Sequence, residues 1–159
     1  RLLKAIQPIE PVGAIKSSAY FSPGNDCRNK IISLINNAKK NIKICVFTIS
    51  DNTIVKAIIG AYQRGIDITI ISDNDKANDK GSDIDYLSDK GIEVILDRSA
   101  HHMHHKFALF DNTILLNGSF NWTRSATTVN QENILVTSEQ QLVSDYKNRF
   151  HILKSEFTG

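Results

Sequence analysis

Four of the chain's five histidines fall within five residues, His101, His102, His104 and His105 of "HHMHHKF", directly ahead of Lys106. Asp111, Gly118, Ser119 and Asn121 follow in "DNTILLNGSFN". Such a cluster suits a metal-binding tract, a solvated basic loop or the phosphate-handling centre of an enzyme. In extended backbone, residues two apart project to the same side, so His104 and Lys106 pair an imidazole with an ammonium while His105 turns away. Ser119 and Asn121 are also two apart, beyond a bend that Asn117-Gly118 permits, and offer a hydroxyl and an amide. An imidazole, a fixed cation and neutral donors are what phosphoryl transfer asks of a protein, which must position the phosphate and stabilise its equatorial oxygens. Neutral His104 could attack a phosphodiester and give a phosphohistidine that water then hydrolyses. One imidazole cannot also protonate the leaving oxygen in the same step, so a second histidine has to come from elsewhere. The scheme asks for no metal and no cofactor, and the sequence holds no Asp-rich two-metal cluster.

These groups need a rigid frame, and the apolar pattern supplies one. Residues 1–14, with Pro8, Pro11 and Gly13, read as a lead-in, and 15–159 as a single domain. "AIKSSAYFS" predicts a strand. A helix follows, capped by Asp26, with Ile31, Ile32, Leu34, Ile35 and Ala38 on its apolar face. "IKICVFTI" (42–49), "IDITIIS" (66–72) and "IEVILD" (92–97) predict strands, separated by helices at 53–65 and 84–91 and by the polar loop "NDKANDKGSD". This alternation predicts an α/β fold, a mixed and largely parallel β-sheet with helices on both faces. "HKFALF", "TILLNGS" and "ENILVTS" add strands, the first two joined through "DN" as a hairpin. The closing stretch, 138–157, predicts a helix opened by a Ser-x-x-Gln capping box, with Leu142, Tyr146, Phe150 and Leu153 as its apolar stripe.

Composition narrows the function classes. The chain has 159 residues, 41% of them hydrophobic, enough for a core without disulfide or metal staples. Nineteen basic against 17 acidic residues leave a net charge of only +2, so any polyanion site has to be local. Cys27 and Cys45 form no framework and leave open a single bridge or none. Cys27, near a helix start, is a position where a thiol pKa could be lowered, with nothing beside it to make a nucleophile. No run of about 18 apolar residues offers a membrane span or a signal peptide. Opening on Arg1 rather than Met suggests a form trimmed of an N-terminal segment, either a secretion signal or an anchor.

The pattern His104-x-Lys106-x4-Asp111-x6-Gly118-Ser119-x-Asn121 resembles the HKD signature of the phospholipase D superfamily without gap or substitution. The similarity extends over nearly the whole chain. "AYFSPGNDCRNKIISLINNAKKNIKICVFTIS" looks like the opening of the small single-motif nucleases, the bacterial Nuc-type endonuclease and the related Zucchini-type enzyme. The zinc-binding insertion of the latter has no Cys/His counterpart here, which favours the bacterial branch. The resemblance implies a phospholipase D-like fold with His104 as nucleophile and the same residue of a second subunit as general acid. It places Lys106 and Asn121 on the phosphate oxygens, Ser119 in or beside that shell, and Glu132, eleven residues past Asn121, as the carboxylate orienting the histidine. Asp111, though it names the motif, is more often structural in the family.

Because the family builds its site from two motifs and this chain has one, the resemblance implies a twofold homodimer with the active site at the interface. The implied activity is a metal-independent endonuclease acting on single-stranded DNA first and RNA second, through a phosphohistidine, leaving 5′-phosphate products. Exported bacterial relatives imply a periplasmic, secreted or membrane-anchored protein, touching a membrane only through an N-terminal anchor. Two rivals remain. A phospholipase D-type cardiolipin hydrolase would be expected to show an apolar docking loop, whereas "NDKANDKGSD" and "TRSATTVNQEN" are polar. A non-catalytic nucleic-acid-binding module would not need His104, Lys106, Asn121 and Glu132 together. Arg124 is the expected extra phosphate contact. Trp122 and Phe120 are read as core, with base stacking by Trp122 as the substrate-binding alternative. Arg28 and Lys39-Lys40 are read as a wet helix face.

Overall fold

The structure, a computed structural model, describes residues 14–77 and 81–159; nearly all of the lead-in 1–14 and the centre of the 74–83 loop lie outside the described residues. In chain order the elements are β1 (Ser17–Ser22), α1 (Asp26–Asn37), β2 (Asn41–Val46), α2 (Asn52–Gln63), β3 (Asp67–Ser72), α3 (Asn74–Ala77) and α4 (Ile84–Asp89). They continue as β4 (Glu93–Leu96), β5 (Lys106–Phe110), β6 (Ile114–Gly118), α5 (Arg124–Thr128), β7 (Glu132–Thr137) and α6 (Gln140–Thr158).

The strands form one sheet in the order β1-β7-β6-β5-β2-β3-β4. It is mixed, as expected, but the parallel share is smaller than the alternating pattern suggests. β2 pairs in parallel with β3, and β3 with β4, while the other four pairings are antiparallel. The physical reason is the β5–β6 hairpin. It enters the sheet antiparallel to β2, and β7 then runs between β6 and β1, so β1 never reaches the side of β2.

Alternating side chains divide the core. Ile42, Ile44, Val46, Ala108, Phe110, Leu116, Ile134 and Val136 face α1, α2 and α4. Cys45, Ile71, Ile95, Phe107, Leu109 and Leu115 face Val143, Phe150, Leu153 and Phe157 of α6. Helices therefore cover both faces, and a period-two pattern on each strand feeds two layers. Cys27 and Cys45 are both free and buried, on opposite faces of the sheet, which settles the bridge in the negative.

Several ends differ from the expectation by a residue. Asn25, not Asp26, sits at the N-cap of α1, and Asp26 opens the helix. The cap of α6 is Glu139, whose carboxylate accepts from Gln141 and Leu142 N–H, in place of the Ser138 box. Ser138 N–H is instead drawn to Lys16 O, extending the β1–β7 ladder. Asp51 caps α2 through Thr53 and Ile54 N–H.

Candidate active site

The motif residues come together at one end of the sheet, where β2, β3 and β4 finish and β5 begins. In open α/β sheets the crevice beyond the carboxyl ends of parallel strands is the usual ligand site. His104 precedes β5, Lys106 is its first residue, Gly118 ends β6, Ser119 and Asn121 lie in the following loop, and Glu132 opens β7. Phe47, just past β2, forms the floor. The His104 ring lies over it at 4.5 Å between centroids, His102 meets it edge-on at 5.5 Å, and the Lys106 ammonium is 5.7 Å from its centre.

Lys106 Nζ donates to His104 O at 3.0 Å and lies 3.2 Å from His104 Nδ1. An ammonium has only hydrogens to offer, so in this arrangement Nδ1 accepts and a neutral ring carries its proton on Nε2. Partial burial, then the positive charges of Lys106 and His102, lower the His104 pKa against the opposing pull of Asp73. The imidazole is thereby biased to the neutral form that a nucleophile needs. Burial likewise lowers the Lys106 pKa, and the Glu132 carboxylate counters it.

Gly118 has a reason beyond the bend expected at Asn117-Gly118. A Cβ there would collide with the Asn133 carbonyl oxygen and lie 2.8 Å from Ile134 Cα, so only glycine lets β6 approach β7 this closely. That approach sets Ser119 against β7: its N–H donates to Asn133 O at 3.0 Å, and its hydroxyl accepts from Asn133 N–H at 3.1 Å. The hydroxyl hydrogen goes to Glu132 Oε1 at 2.6 Å. Ser119 thus spends its one hydrogen on Glu132, and among the described contacts Glu132 bonds Ser119 and Asn130 rather than His104. Asn121 is half-buried with its Oδ1 enclosed and unpartnered, leaving its polar head uncommitted at the site.

Asp111 stands at the opposite end of β5. It and Asn112 adopt φ of 56° and 53° in the turn before β6, a left-handed conformation that Asp and Asn tolerate. Its carboxylate gathers the backbone N–H groups of Lys39, Lys40 and Asn41 at 2.7 to 3.1 Å. Asp111 fastens the hairpin to the α1–β2 connection and cannot be part of the reacting centre, which corrects its place among the catalytic candidates. Trp122 is also corrected. It is fully buried in the core, with its carbonyl taking the N–H groups of Ser50 and Asp51, so its ring is not available to a base. Arg124 is exposed at the start of α5, and its charge is felt by Asp83.

The histidine tract does not act as one ligand cluster. Met103 between the pairs is buried, with Cys45 Sγ 3.6 Å from its sulfur, while His105 turns to the α6 side against Phe107 at 5.6 Å. Among the described residues, one group has ligand atoms within 4.8 Å of one another, Asp73, Asp75 and His102, and it takes a single histidine of the tract. Asp73 and Asp97 were not singled out from the sequence. Both are buried acids one step past a parallel strand, and both pin the loop that carries His104. Asp73 accepts Met103 N–H at 2.9 Å and lies 3.4 Å from His102 Nδ1, and Asp97 accepts Ser99 N–H at 2.8 Å. The signal was legible: "IIS" and "VIL" are each followed at once by Asp. Cys27 has its thiol pKa pushed up to about 11 by burial and by the Asp26 and Glu132 charges, the reverse of the lowering its helix start allowed.

Comparison with known proteins places this geometry. Residues 31–154 match the family model described as "Cardiolipin synthase, PLD-like domain". The chain is 40% identical over 147 residues to a mitochondrial cardiolipin hydrolase of Chlamydomonas reinhardtii, covering 92% of this chain and 66% of that one. It is 38% identical to the Xenopus tropicalis protein of the same name, over 94% of this chain and 72% of the relative. Among solved structures, Nuc of Salmonella typhimurium superposes with a TM-score of 0.84 at 26% identity, covering 89% of this chain and 95% of Nuc. NucT of Helicobacter pylori follows at 0.82 and 28%, covering 89% and 96%. Sequence likeness thus runs to the mitochondrial relatives and shape likeness to the bacterial nucleases, and on both the chain belongs to the phospholipase D superfamily of phosphodiester-hydrolysing enzymes.

Proposed function

We propose that the chain is a metal-independent phosphodiesterase that cuts single-stranded nucleic acid, DNA in preference to RNA, through a phosphohistidine on His104. The observation that carries the reading is the His104–Lys106 pair: an imidazole biased to its neutral form, 3.2 Å from a fixed ammonium on an open surface. When a substrate phosphate draws Lys106 onto its oxygens, Nδ1 is released and can take the ring hydrogen, so that Nε2 presents a lone pair. Glu132 is the carboxylate assigned to hold that hydrogen once Ser119 lets it go. Nε2 attacks phosphorus, the bond to the 3′ oxygen breaks, and that oxygen leaves with a proton from His104 of a second copy. Water then attacks the phosphorus with that second imidazole as base, the P–N bond breaks, and a 5′-phosphate is released. Asn121 and Lys106 hold the equatorial oxygens throughout.

The second copy is supported by a bare apolar face. On the side of the sheet that carries α6, opposite the face from which Lys106 and Glu132 project, Phe21 of the edge strand β1 is 66% exposed and Leu135 of β7 45% exposed. Apolar side chains left open at the edge of the sheet suit an isologous contact with a second copy.

Cardiolipin hydrolysis is the second reading, favoured by the names of the relatives at 38 to 40% identity. The test is cleavage of labelled single-stranded DNA, duplex DNA, RNA and cardiolipin in excess EDTA by the wild type and His104→Ala. Single strands cut in EDTA, with the variant inactive, is the expected result. Turnover of cardiolipin alone would transfer the same chemistry to a lipid, and dependence on added divalent metal would end the proposed mechanism.

A further inference from the structure

The far end of the sheet gathers cations that the proposed reaction does not use. Lys43 projects from β2 toward the α6 side, half-buried, and donates to Asn112 Oδ1 at 2.8 Å and Asn41 Oδ1 at 3.3 Å. On α6, Lys147, His151 and Lys154 occupy positions i, i+4 and i+7, on the flank beside the buried Val143–Phe150 stripe. They step along the helix axis by about 6 and then about 4.5 Å. Lys147 and Lys154 are half-buried, so sheet floor and helix flank form two walls of a crease.

The crowding has a cost. Burial and then the Lys147 charge, with Lys154, lower the Lys43 pKa, and only Asp67 opposes them. Burial followed by Lys43, Lys147 and Lys154 lowers that of His151. Among the described residues, the carboxylate paired with this group is Glu93, whose Oε1 lies 3.5 Å from Lys154 and already accepts the Thr69 hydroxyl at 2.9 Å. Cations packed this way destabilise one another until an anion arrives.

We propose that this crease, lined by Lys43, Lys147, His151 and Lys154, is an exosite that takes backbone phosphates of a single-stranded nucleic acid whose scissile bond lies at His104. The inference rests on the nucleic-acid reading above. Lys43 stands three residues back along β2 from Val46, the partner of Lys106, about 10 Å along the strand but on the other face of the sheet. A strand leaving His104 therefore turns over the sheet end beside His105, which faces the α6 side, before a few nucleotides reach the crease. Cations contributed by both the sheet and the helix flank where the two meet suit a chain laid along that junction. A flat bilayer surface would meet the outer side of α6 instead, where Leu142 and Ile152 are exposed.

The experiment compares the wild-type protein with the triple variant Lys147→Gln/His151→Gln/Lys154→Gln on 6-mer and 30-mer single-stranded DNA and on bis(p-nitrophenyl) phosphate, across salt concentrations. Each phosphate contact on a single strand contributes about 0.7 to the slope of log affinity against log salt. Losing two lysines should therefore reduce the salt slope for the 30-mer by about 1.4 and raise its KM roughly tenfold at 0.15 M salt. Turnover of bis(p-nitrophenyl) phosphate should stay unchanged, which also shows that the variant is folded. An unchanged KM and salt slope for the 30-mer would overturn the exosite while leaving the nuclease intact. If bis(p-nitrophenyl) phosphate is hydrolysed and neither DNA is cut, the nucleic-acid reading falls and takes the exosite with it. Loss of sedimentation with cardiolipin vesicles, with the 30-mer unaffected, would overturn it in favour of a membrane contact.

Discussion

Replacing Asp111 separates its part in the HKD pattern from that of its neighbours. Its carboxylate takes the N–H groups of Lys39, Lys40 and Asn41 at 2.7 to 3.1 Å, across about 70 residues of sequence. Each such bond is worth about 1 kcal/mol net, and more to a charged acceptor, though this carboxyl is half-exposed and belongs at the lower end. Asp111→Ala forfeits all three and also places a Cβ-bearing residue without a local acceptor at φ 56°, a further cost of about 1 kcal/mol. The expected loss is about 4 kcal/mol, or about 8 to 16 °C in Tm for a chain of this size. Asp111→Asn keeps the turn and one acceptor oxygen and should lose about half as much. The pH dependence follows from the direction of the shift. Burial raises the Asp111 pKa, but the three backbone N–H groups and Lys40 outweigh it, and the net is a lowering. A carboxylate lowered in the folded state adds stability above its unfolded pKa, about 3.9, and loses it as pH falls through the folded value. The difference between wild type and variants in urea melts should therefore be full at neutral pH and shrink below about pH 4. Turnover per folded molecule at low temperature should change less than threefold. A variant that melts with the wild type, or one that stays folded and loses a hundredfold in turnover, would refute the reasoning.

Two further outcomes are expected. Gly118→Ala should lower stability by about 1 to 3 kcal/mol, because β6 and β7 must part to admit the methyl. It should also impair turnover through Ser119 and Glu132, read by thermal melts beside hydrolysis of a small phosphodiester; a Tm within 1 °C of wild type would show that the strands do not approach this closely. If neutral His104 is the nucleophile, kcat/KM should fall on the acid side with a midpoint below the ordinary histidine value of about 6.5. A midpoint above 7 would place the controlling proton on another group.

The strand periods were legible in the sequence, and so were the helix periods except on α6, where Leu142 of the expected stripe is exposed and Val143 is buried in its place, one step round the helix. The placing of His104, Lys106, Ser119, Asn121 and Glu132 at one end of the sheet was legible too. What was not legible depends on contacts between distant segments. The β1 to β4 run alternates like a fully parallel sheet, and nothing local in "HKFALF" announces that it inserts beside β2 and sends β7 to pair with β1. Trp122 follows directly on Asn121, and only its burial beneath the Ile49–Asp51 segment decides between core and base stacking. Glu132 lies on the strand that the resemblance names, yet its bond to Ser119 follows from the close approach at Gly118, a matter of the distance between two strands.

The hairpin has a consequence for the motif itself. The four residues between Lys106 and Asp111 are the rest of strand β5, and the six between Asp111 and Gly118 are the remainder of the turn plus β6 up to its last position. The spacing is a ruler: it counts the distance from the reacting end to the anchored end and back. With Phe107 opposite Asn117, the next step sets Lys106 across from Gly118. One residue added to the turn would keep every side chain of the motif in the sequence and send Ser119 and Asn121 to the wrong face. In this chain the loops and helices around the hairpin could change length without moving Lys106 from its place across from Gly118, whereas the length of the ruler could not.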